Sequence, residues 1–226
     1  MKTVGIIAGL GPAAGADFFE KLVRATPATR DQDHLRVLID SNPHIPDRNA
    51  AIEGRGPSPG PALAETARNL ECAGAEVVVM ACNAAHRWQS DIEAALTVPF
   101  LSMVDASAEA AARTGARRIG ILAADACVKA QLYPNALARA RLEAVELPPD
   151  RQADLMALIY AVKRGETRTD LLEPMLELAE SLVADGAEAL IAGCTEVPIV
   201  LEAGDVSVPF ISSTDALIAK VLAFAR

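Results

Sequence analysis

The sequence predicts an α/β fold made of two similar lobes, each a parallel-type sheet flanked by helices. Short apolar runs alternate along the chain with longer stretches of helical pattern. Three pairs of segments also recur in the same order, at offsets of 115, 112 and 110 residues. The pairs are VGIIAGLG from Val4 with IGILAADA from Ile119, GAEVVVMAC from Gly74 with GAEALIAGC from Gly186, and VPFLSMVDAS from Val98 with VPFISSTDAL from Val208. Such a register indicates a duplicated α/β unit.

The order of elements supports this fold class. Apolar runs predict strands at Val4–Ala8, Leu35–Asp40, Val77–Ala81, Val98–Ser102, Ile119–Ala123, Ala144–Leu147, Ala189–Ala192 and Val208–Ser212. Helical patterns predict helices at Gly15–Ala25, Gly60–Ala73, Leu155–Arg164, Thr167–Asp185 and Asp215–Arg226. Apolar strands that alternate with helices are typical of a parallel sheet covered on both faces. We expect a first lobe from residues 1–104 with the C-terminal helix 215–226, and a second lobe from residues 105–214.

Composition and charge argue against several classes of function. The chain has 226 residues, of which 51% are hydrophobic, and a formal net charge of −9. An acidic chain without a basic cluster argues against a nucleic-acid partner, and no apolar run is long enough to span a membrane. The N-terminus begins like a signal peptide, but Gly9, Gly11 and Pro12 interrupt it, so a strand and its turn are expected there. We therefore expect a cytoplasmic protein.

Two cysteines end the apolar runs of the duplicated GAE segments. Cys82 and Cys194 each follow a predicted strand, and ligands of open α/β sheets bind outside the carboxyl ends of the strands. If the lobes face each other about a pseudo-twofold axis, the two thiols flank one cleft. A following helix would lower the pKa of each thiol, with Asn83 and Thr195 as N-cap neighbours. Two such thiols suit a racemase or epimerase, in which one takes a proton from a carbon and the other returns one to the opposite face.

Buried packing is the ordinary alternative for a cysteine. We keep it for Cys72, which lies in a helical stretch, and leave Cys127 open between the two interpretations. The matched contexts of Cys82 and Cys194 favour catalysis. His86, one helical turn after Cys82, is interpreted as a packed or capping histidine. The four cysteines contain no CxxC pair and the three histidines are dispersed, so we expect thiols rather than disulfides and no metal site.

Six motifs run over nearly the whole chain: GIIAGLGPAAGADFFEKL, NPHIPDR, GPSPGPAL, ACNAAH, IYAVKRG and GCTEVP. Together, in this order and with both cysteines, they resemble the aspartate/glutamate racemase family of cofactor-independent amino-acid racemases, and its aspartate racemase branch in particular. The resemblance implies two α/β lobes with the active site in the cleft between them, a small amino acid as substrate, and a homodimer. No cofactor is expected, since no lysine stands in a recognisable Schiff-base setting for pyridoxal phosphate.

The resemblance also implies roles for individual residues. Cys82 and Cys194 would be the acid and base on opposite faces of the α-carbon of aspartate or a related amino acid such as glutamate. Arg48, in IPDR, would bind one substrate carboxylate, which a guanidinium can hold bidentately. Lys163, in IYAVKRG, would bind the other. A surface ion pair with Asp47 is the alternative for Arg48, and a solvated or C-capping position is the alternative for Lys163.

Five further positions are predicted to line the site: Leu10, Gly11, Asn83, Ala84 and Thr195. Leu10 and Gly11 would contribute backbone groups from the first strand-to-helix turn. The sequence departs from the family pattern where threonines are usual, at Ala84, Asn49, Ala124 and Cys127. These losses remove hydroxyls but leave the thiol pair intact, so racemisation is predicted more firmly than aspartate as its substrate.

Other functions stay open at this stage. The same fold could serve an isomerase or a decarboxylase, or a non-catalytic amino-acid-binding protein, although two intact cysteines count against both. GLGPAA also satisfies the dinucleotide-binding pattern G-x-G-x-x-A after a strand, and Asp40 ends the next strand. Against that pattern, Pro12 removes a backbone N–H from the turn, and the duplicated cysteine segments have no part in it.

Overall fold

Two four-stranded parallel sheets organise the computed structural model, which describes residues 1–226. The first sheet has the order β2-β1-β3-β4 and the second the order β6-β5-β7-β8. The strands are β1 (Val4–Ala8), β2 (Val37–Ser41), β3 (Val77–Met80), β4 (Phe100–Leu101), β5 (Arg118–Ala123), β6 (Glu143–Glu146), β7 (Ala189–Gly193) and β8 (Phe210–Ser212). All six strand pairings are parallel. The predicted fold class is therefore confirmed, and both sheets share one strand order, as a duplication requires.

The chain divides into two compact units. The first unit comprises Met1–Ala106 and Thr214–Arg226, and the second comprises Ser107–Ser213. The helices are α1 (Pro12–Ala25), α2 (Arg48–Ile52), α3 (Gly60–Cys72), α4 (Gln89–Ala95), α5 (Met103–Ala112), α6 (Asp125–Lys129), α7 (Leu132–Arg139), α8 (Pro149–Lys163), α9 (Arg168–Ala184), α10 (Val197–Val200) and α11 (Ser213–Ala225). Two 3-10 helices occupy Asp31–Asp33 and Ala84–Trp88. None of the helices combines the length and apolar character needed to cross a bilayer.

The central strands β1 and β3 of the first sheet are buried on both faces, which explains their continuous apolar runs. Ile6 packs in a cluster that includes Leu217 and Val221 of α11. Its neighbour Ile7 points to the other face, where the cluster includes Leu63 of α3. Successive side chains of a strand alternate between faces, so a strand between two helical layers must be apolar at every position.

The C-terminal helix α11 belongs to the first unit, and its end lies beside the start of the chain. The backbone N–H of Lys2 donates to the carbonyl of Ala225 at 2.8 Å. The Lys2 ammonium also lies 4.1 Å from the centre of the Phe224 ring, a favourable cation–π contact. Arg226 donates to the carbonyl of Pro27 at 2.6 Å. The two ends of the chain are thus joined by hydrogen bonds within one unit.

Helices α1 and α8 begin earlier than the sequence predicted. The first begins at Pro12 instead of Gly15, and the second begins at Pro149 instead of Leu155. Proline is favoured in the first helical turn because its missing N–H would have no intrahelical partner there. Both prolines therefore start a helix where an apolar pattern alone shows only a loop.

Gly9 is required by close packing in the turn between β1 and α1. Its φ is +86°, and a Cβ at this position would lie 2.5 Å from backbone atoms of Asn42. We expect Gly9→Ala to lower the free energy of unfolding by about 1–3 kcal/mol, measured by urea denaturation. Gly204→Ala is the matched control, because a Cβ at Gly204 would meet nothing within 4 Å. Equal stability of the two variants would contradict this explanation.

Candidate active site

Cys82 lies just beyond the carboxyl end of β3 in the first unit. It is buried and is followed by Asn83 and the 3-10 helix Ala84–Trp88. Asn83 occupies the N-cap position of that helix but makes no capping hydrogen bond through its side chain, which corrects the capping role expected for it. Cys82, Asn83 and Ala84 are consecutive in the chain and therefore lie together beyond the carboxyl end of β3.

His86 supports the backbone on which Cys82 stands. Its Nδ1 lies 2.8 Å from the Cys82 carbonyl, and its Nε2 accepts the backbone N–H of Met103 at 3.0 Å. Because a carbonyl cannot donate, Nδ1 must carry the proton. Burial lowers the pKa of His86 to about 4, so the ring is neutral near pH 7. These contacts agree with a packed histidine and leave neither ring nitrogen available as a base.

Arg48, at the start of α2, binds the turn that follows β1. Its guanidinium donates to the carbonyl of Leu10 at 2.9 Å, to Pro46 at 3.2 Å and to Ile45 at 3.4 Å. The ion pair with Asp47, left open by the sequence, is not formed; Asp47 caps α2 by accepting the N–H of Ala50 at 2.7 Å. A guanidinium has further N–H donors beyond these three bonds, so Arg48 retains the capacity to bind a carboxylate.

The structure brings two predicted binding residues, Leu10 and Arg48, into direct contact. Leu10 is buried, and Gly11, next to it, has a φ of +133°, which is accessible to glycine and strained for other residues. Gly11 occupies the N-cap position of α1. The Leu10 carbonyl thus holds the Arg48 guanidinium beside the turn that begins α1.

Cys194 directly follows β7 in the second unit, and an acidic residue lies against it. Its Sγ donates to Oε2 of Glu196 at 2.9 Å, and the Thr195 hydroxyl donates to the same oxygen at 3.1 Å. The other oxygen, Oε1, lies 3.7 Å from Nζ of Lys163 at the end of α8. Cys194 and Glu196 are buried, whereas the Lys163 side chain is 44% exposed. A thiol, a carboxylate and an ammonium therefore follow one another from the interior to the surface.

The surroundings of Cys194 favour the protonated thiol. Burial raises its pKa well above the ordinary value, and the negative charge of Glu196 raises it further, as does Cys127. The expectation that a helix dipole lowers this pKa is therefore wrong. The following helix, α10, has only four residues, and its N-cap is Glu196 rather than Thr195. Desolvation and a neighbouring carboxylate outweigh so short a helix.

Residues of α6 and α7 contact Gly193 at the end of β7. The Cys127 thiol donates to the carbonyl of Gly193 at 3.8 Å. A Cβ at Gly193 would lie 2.5 Å from the ring of Tyr133, so glycine is needed for this ring to pack there. Tyr133 is buried and bonds through its hydroxyl to Ser107 and Ser213; burial raises the pKa of Tyr133. Cys127 accordingly supports the strand that carries Cys194.

The remaining predicted residues differ in their agreement with the structure. Cys72, expected as a buried helical residue, is an exposed thiol in the last turn of α3. Lys163 contacts Glu196 from a side chain that is 44% exposed, so this contact leaves the solvated alternative for Lys163 standing. Glu196 itself was not predicted as a site residue, although it stands in the GCTEVP motif. The signal was available: the repeat offset of 112 residues pairs Glu196 with Ala84, and the two halves differ there.

Comparisons with known proteins identify the family of the chain. A model of the Asp/Glu/hydantoin racemase family matches residues 7–221. The chain is similar to the structure of Picrophilus torridus aspartate racemase, with a TM-score of 0.89 and 32% identity over 100% of this chain and 94% of that chain. It is also similar to an aspartate racemase homologue from Pyrococcus horikoshii OT3, with a TM-score of 0.81 and 26% identity over 100% and 99% of the two chains.

A curated relative extends the comparison to sequence. The broad specificity amino-acid racemase RacX of Bacillus subtilis is 25% identical over 228 residues, which cover 95% of this chain and 94% of the relative. The family model spans both units and both cysteines. The chain therefore belongs to the Asp/Glu/hydantoin racemase family.

Proposed function

We propose that the protein racemises a free amino acid without a cofactor, using Cys82 and Cys194 as acid and base on opposite faces of the α-carbon. The observation that carries the proposal is the matched placement of the two thiols. Each is buried at the carboxyl end of the same strand of its sheet, β3 in the first and β7 in the second. Racemisation needs an acid and a base of the same kind, because each group must play both parts as the direction reverses.

The cations of the two units support a carboxylate substrate. Loss of the α-proton builds negative charge beside the α-carboxylate, and nearby cations and backbone N–H groups stabilise that charge. Arg48 lies against the Leu10 turn in the first unit, and Lys163 lies near Cys194 in the second. Two cations suit an amino acid with two carboxylates, so we propose aspartate, or a related amino acid such as glutamate, as the substrate.

The substrate range is proposed to be broader than aspartate alone. Ala84 brings no hydroxyl to the first thiol, and Oδ1 of Asn49, beside Arg48, is buried without a hydrogen-bond partner. A side-chain carboxylate would therefore find fewer donors near these positions. The name of one relative points the same way, since it is a broad specificity amino-acid racemase. We also propose a cytoplasmic homodimer, whose assembly light scattering would test.

Proton NMR in D2O tests the proposed function. L-aspartate, L-glutamate and a panel of other L-amino acids are incubated with the protein, and the products are separated by chiral chromatography. We expect loss of the α-proton signal together with growth of the D-isomer for at least one of them. Exchange of the α-proton without inversion of the α-carbon would contradict a racemase and indicate an isomerase that uses one base. Release of carbon dioxide would indicate a decarboxylase, and saturable binding without exchange would indicate an amino-acid-binding protein.

A further inference from the structure

The two halves of the chain differ at the position two residues after each active-site thiol. Two residues after the first thiol stands Ala84, and two residues after the second stands Glu196. The Glu196 carboxylate accepts a hydrogen bond from the Cys194 thiol at 2.9 Å, whereas Ala84 has no charge to offer Cys82. The duplication therefore placed a carboxylate beside the second thiol and an alanine at the matching position after the first.

Every titratable group described near Cys194 in the second unit bears on its protonation. Glu196 contacts the sulfur directly, and the Cys127 thiol of α6 and the Tyr133 hydroxyl of α7 are close enough to interact with it. Lys163 of α8 contacts only the far oxygen of Glu196, at 3.7 Å, from an exposed position. Loss of the Cys194 proton would thus create a buried anion within hydrogen-bond distance of a carboxylate. Two like charges in such contact strongly disfavour joint ionisation.

On the basis of the proposed two-thiol racemase, we infer that Glu196 is a positioning residue that holds Cys194 as the thiol in the resting enzyme, so that Cys82 carries the thiolate. In this state the Cys82 sulfur takes the α-proton, and the electron pair of the C–H bond stays on the α-carbon and its carboxylate. The Cys194 thiol then gives its proton to the opposite face. Cys82 is left as thiol and Cys194 as thiolate, and proton exchange with water restores the resting state.

A resting enzyme in which Cys82 is the thiolate and Cys194 the thiol is expected to show different kcat and KM values for the two isomers. Enantiomers have equal free energies, so kcat/KM must be the same for both isomers. When each protonation form binds its own isomer with the same intrinsic affinity, the isomer whose α-proton meets Cys82 binds the abundant form of the enzyme and has the lower KM and, by the same factor, the lower kcat. The other isomer binds the scarce form, which raises its apparent KM in proportion to that scarcity.

The first test measures the Cys194 thiol directly and needs no turnover. Iodoacetamide labelling of Cys194 and Cys82 is followed by peptide mass spectrometry across a pH series in the wild type, Glu196→Gln and Glu202→Gln. The second substitution removes the same charge from an exposed position of the same unit. We expect Glu196→Gln to lower the pH of half-maximal Cys194 labelling by about one unit or more, with the Cys82 profile unchanged. An unmoved Cys194 profile would overturn the inference.

The second test uses kcat and KM for each isomer. We expect Glu196→Gln to bring the ratio of the two KM values closer to unity, with the kcat ratio following it, and Glu196→Asp to keep more of the wild-type ratio. A purely structural role would lower kcat for both isomers and leave the ratio unchanged, which would contradict the inference. If the wild type turns over no amino acid, the proposed function fails, while the labelling profiles still decide whether Glu196 holds Cys194 protonated.

Discussion

Replacing Cys82 or Cys194 by serine is expected to lower racemisation by at least about 100-fold, because each substitution removes one member of the proposed acid/base pair. A hydroxyl is a much weaker acid than a thiol, so serine can neither hold a ready anion nor return a proton efficiently at neutral pH. The shape of the side chain is nearly kept, which limits the effect on folding. Turnover is measured by circular dichroism of the amino acid, starting separately from the L- and D-isomers.

Cys72→Ser is the matched control for these variants, since Cys72 is an exposed thiol in α3. It should turn over substrate at the wild-type rate. Wild-type turnover by either active-site variant would exclude that thiol from proton transfer. Partial retention of α-proton exchange in D2O without inversion, in one variant only, would assign the first proton transfer to the remaining thiol.

The His86 ring is expected to make the first unit sensitive to acid. Burial lowers its pKa from 6.5 to about 4 in the folded protein. Above pH 6.5 the His86 imidazole is neutral in both the folded and the unfolded chain, so its protonation costs the folded protein no stability. As the pH falls from 6.5 towards 4, the His86 ring binds a proton in the unfolded chain but not in the folded chain. The free energy of unfolding should therefore fall by about 3 kcal/mol over this window, and this contribution levels off below pH 4.

Urea denaturation at a series of pH values between 7 and 4 would check this expectation. Other groups titrate in the same range, so the quantity of interest is the difference between the wild type and His86→Gln. The variant should lose less stability on acidification than the wild type. His44→Gln, at an exposed position, serves as the control and should follow the wild type. Parallel curves for the wild type and His86→Gln would show that the histidine does not resist protonation.

The fold was predictable where the pattern had one physical cause. Val4–Ala8 was predicted with its observed bounds because a strand between two helical layers is apolar throughout. The strand predicted over Val98–Ser102 is reduced to Phe100–Leu101, since apolar character alone does not show how far pairing extends at the edge of a sheet. Helix α5 was not predicted, because its alanine-rich segment has weak apolar periodicity. Helices α6 and α7 have only five and eight residues, too few for an apolar period to be recognised.

The candidate site was less predictable than the fold. The thiols were found because the repeat marks both of them, but the setting of Cys194 depends on where one side chain points. The loop after β7 turns the Glu196 carboxylate back onto the sulfur, and no periodicity indicates such a turn. A helix dipole was expected to lower the thiol pKa, whereas burial and this carboxylate raise it. Local sequence rules omit desolvation, which depends on the whole fold.

The division of the first unit between two segments of the chain imposes an order on folding during biosynthesis. The second unit is one continuous segment, Ser107–Ser213, but the first needs α11, which is made last. On the ribosome the second unit can complete its core while the first still lacks Leu217 and Val221. Since Lys2 and Ala225 are in contact, a short linker could join residue 226 to residue 1. A circular permutant opened between Ala106 and Ser107 would then translate the second unit first and the first unit after it, without interruption.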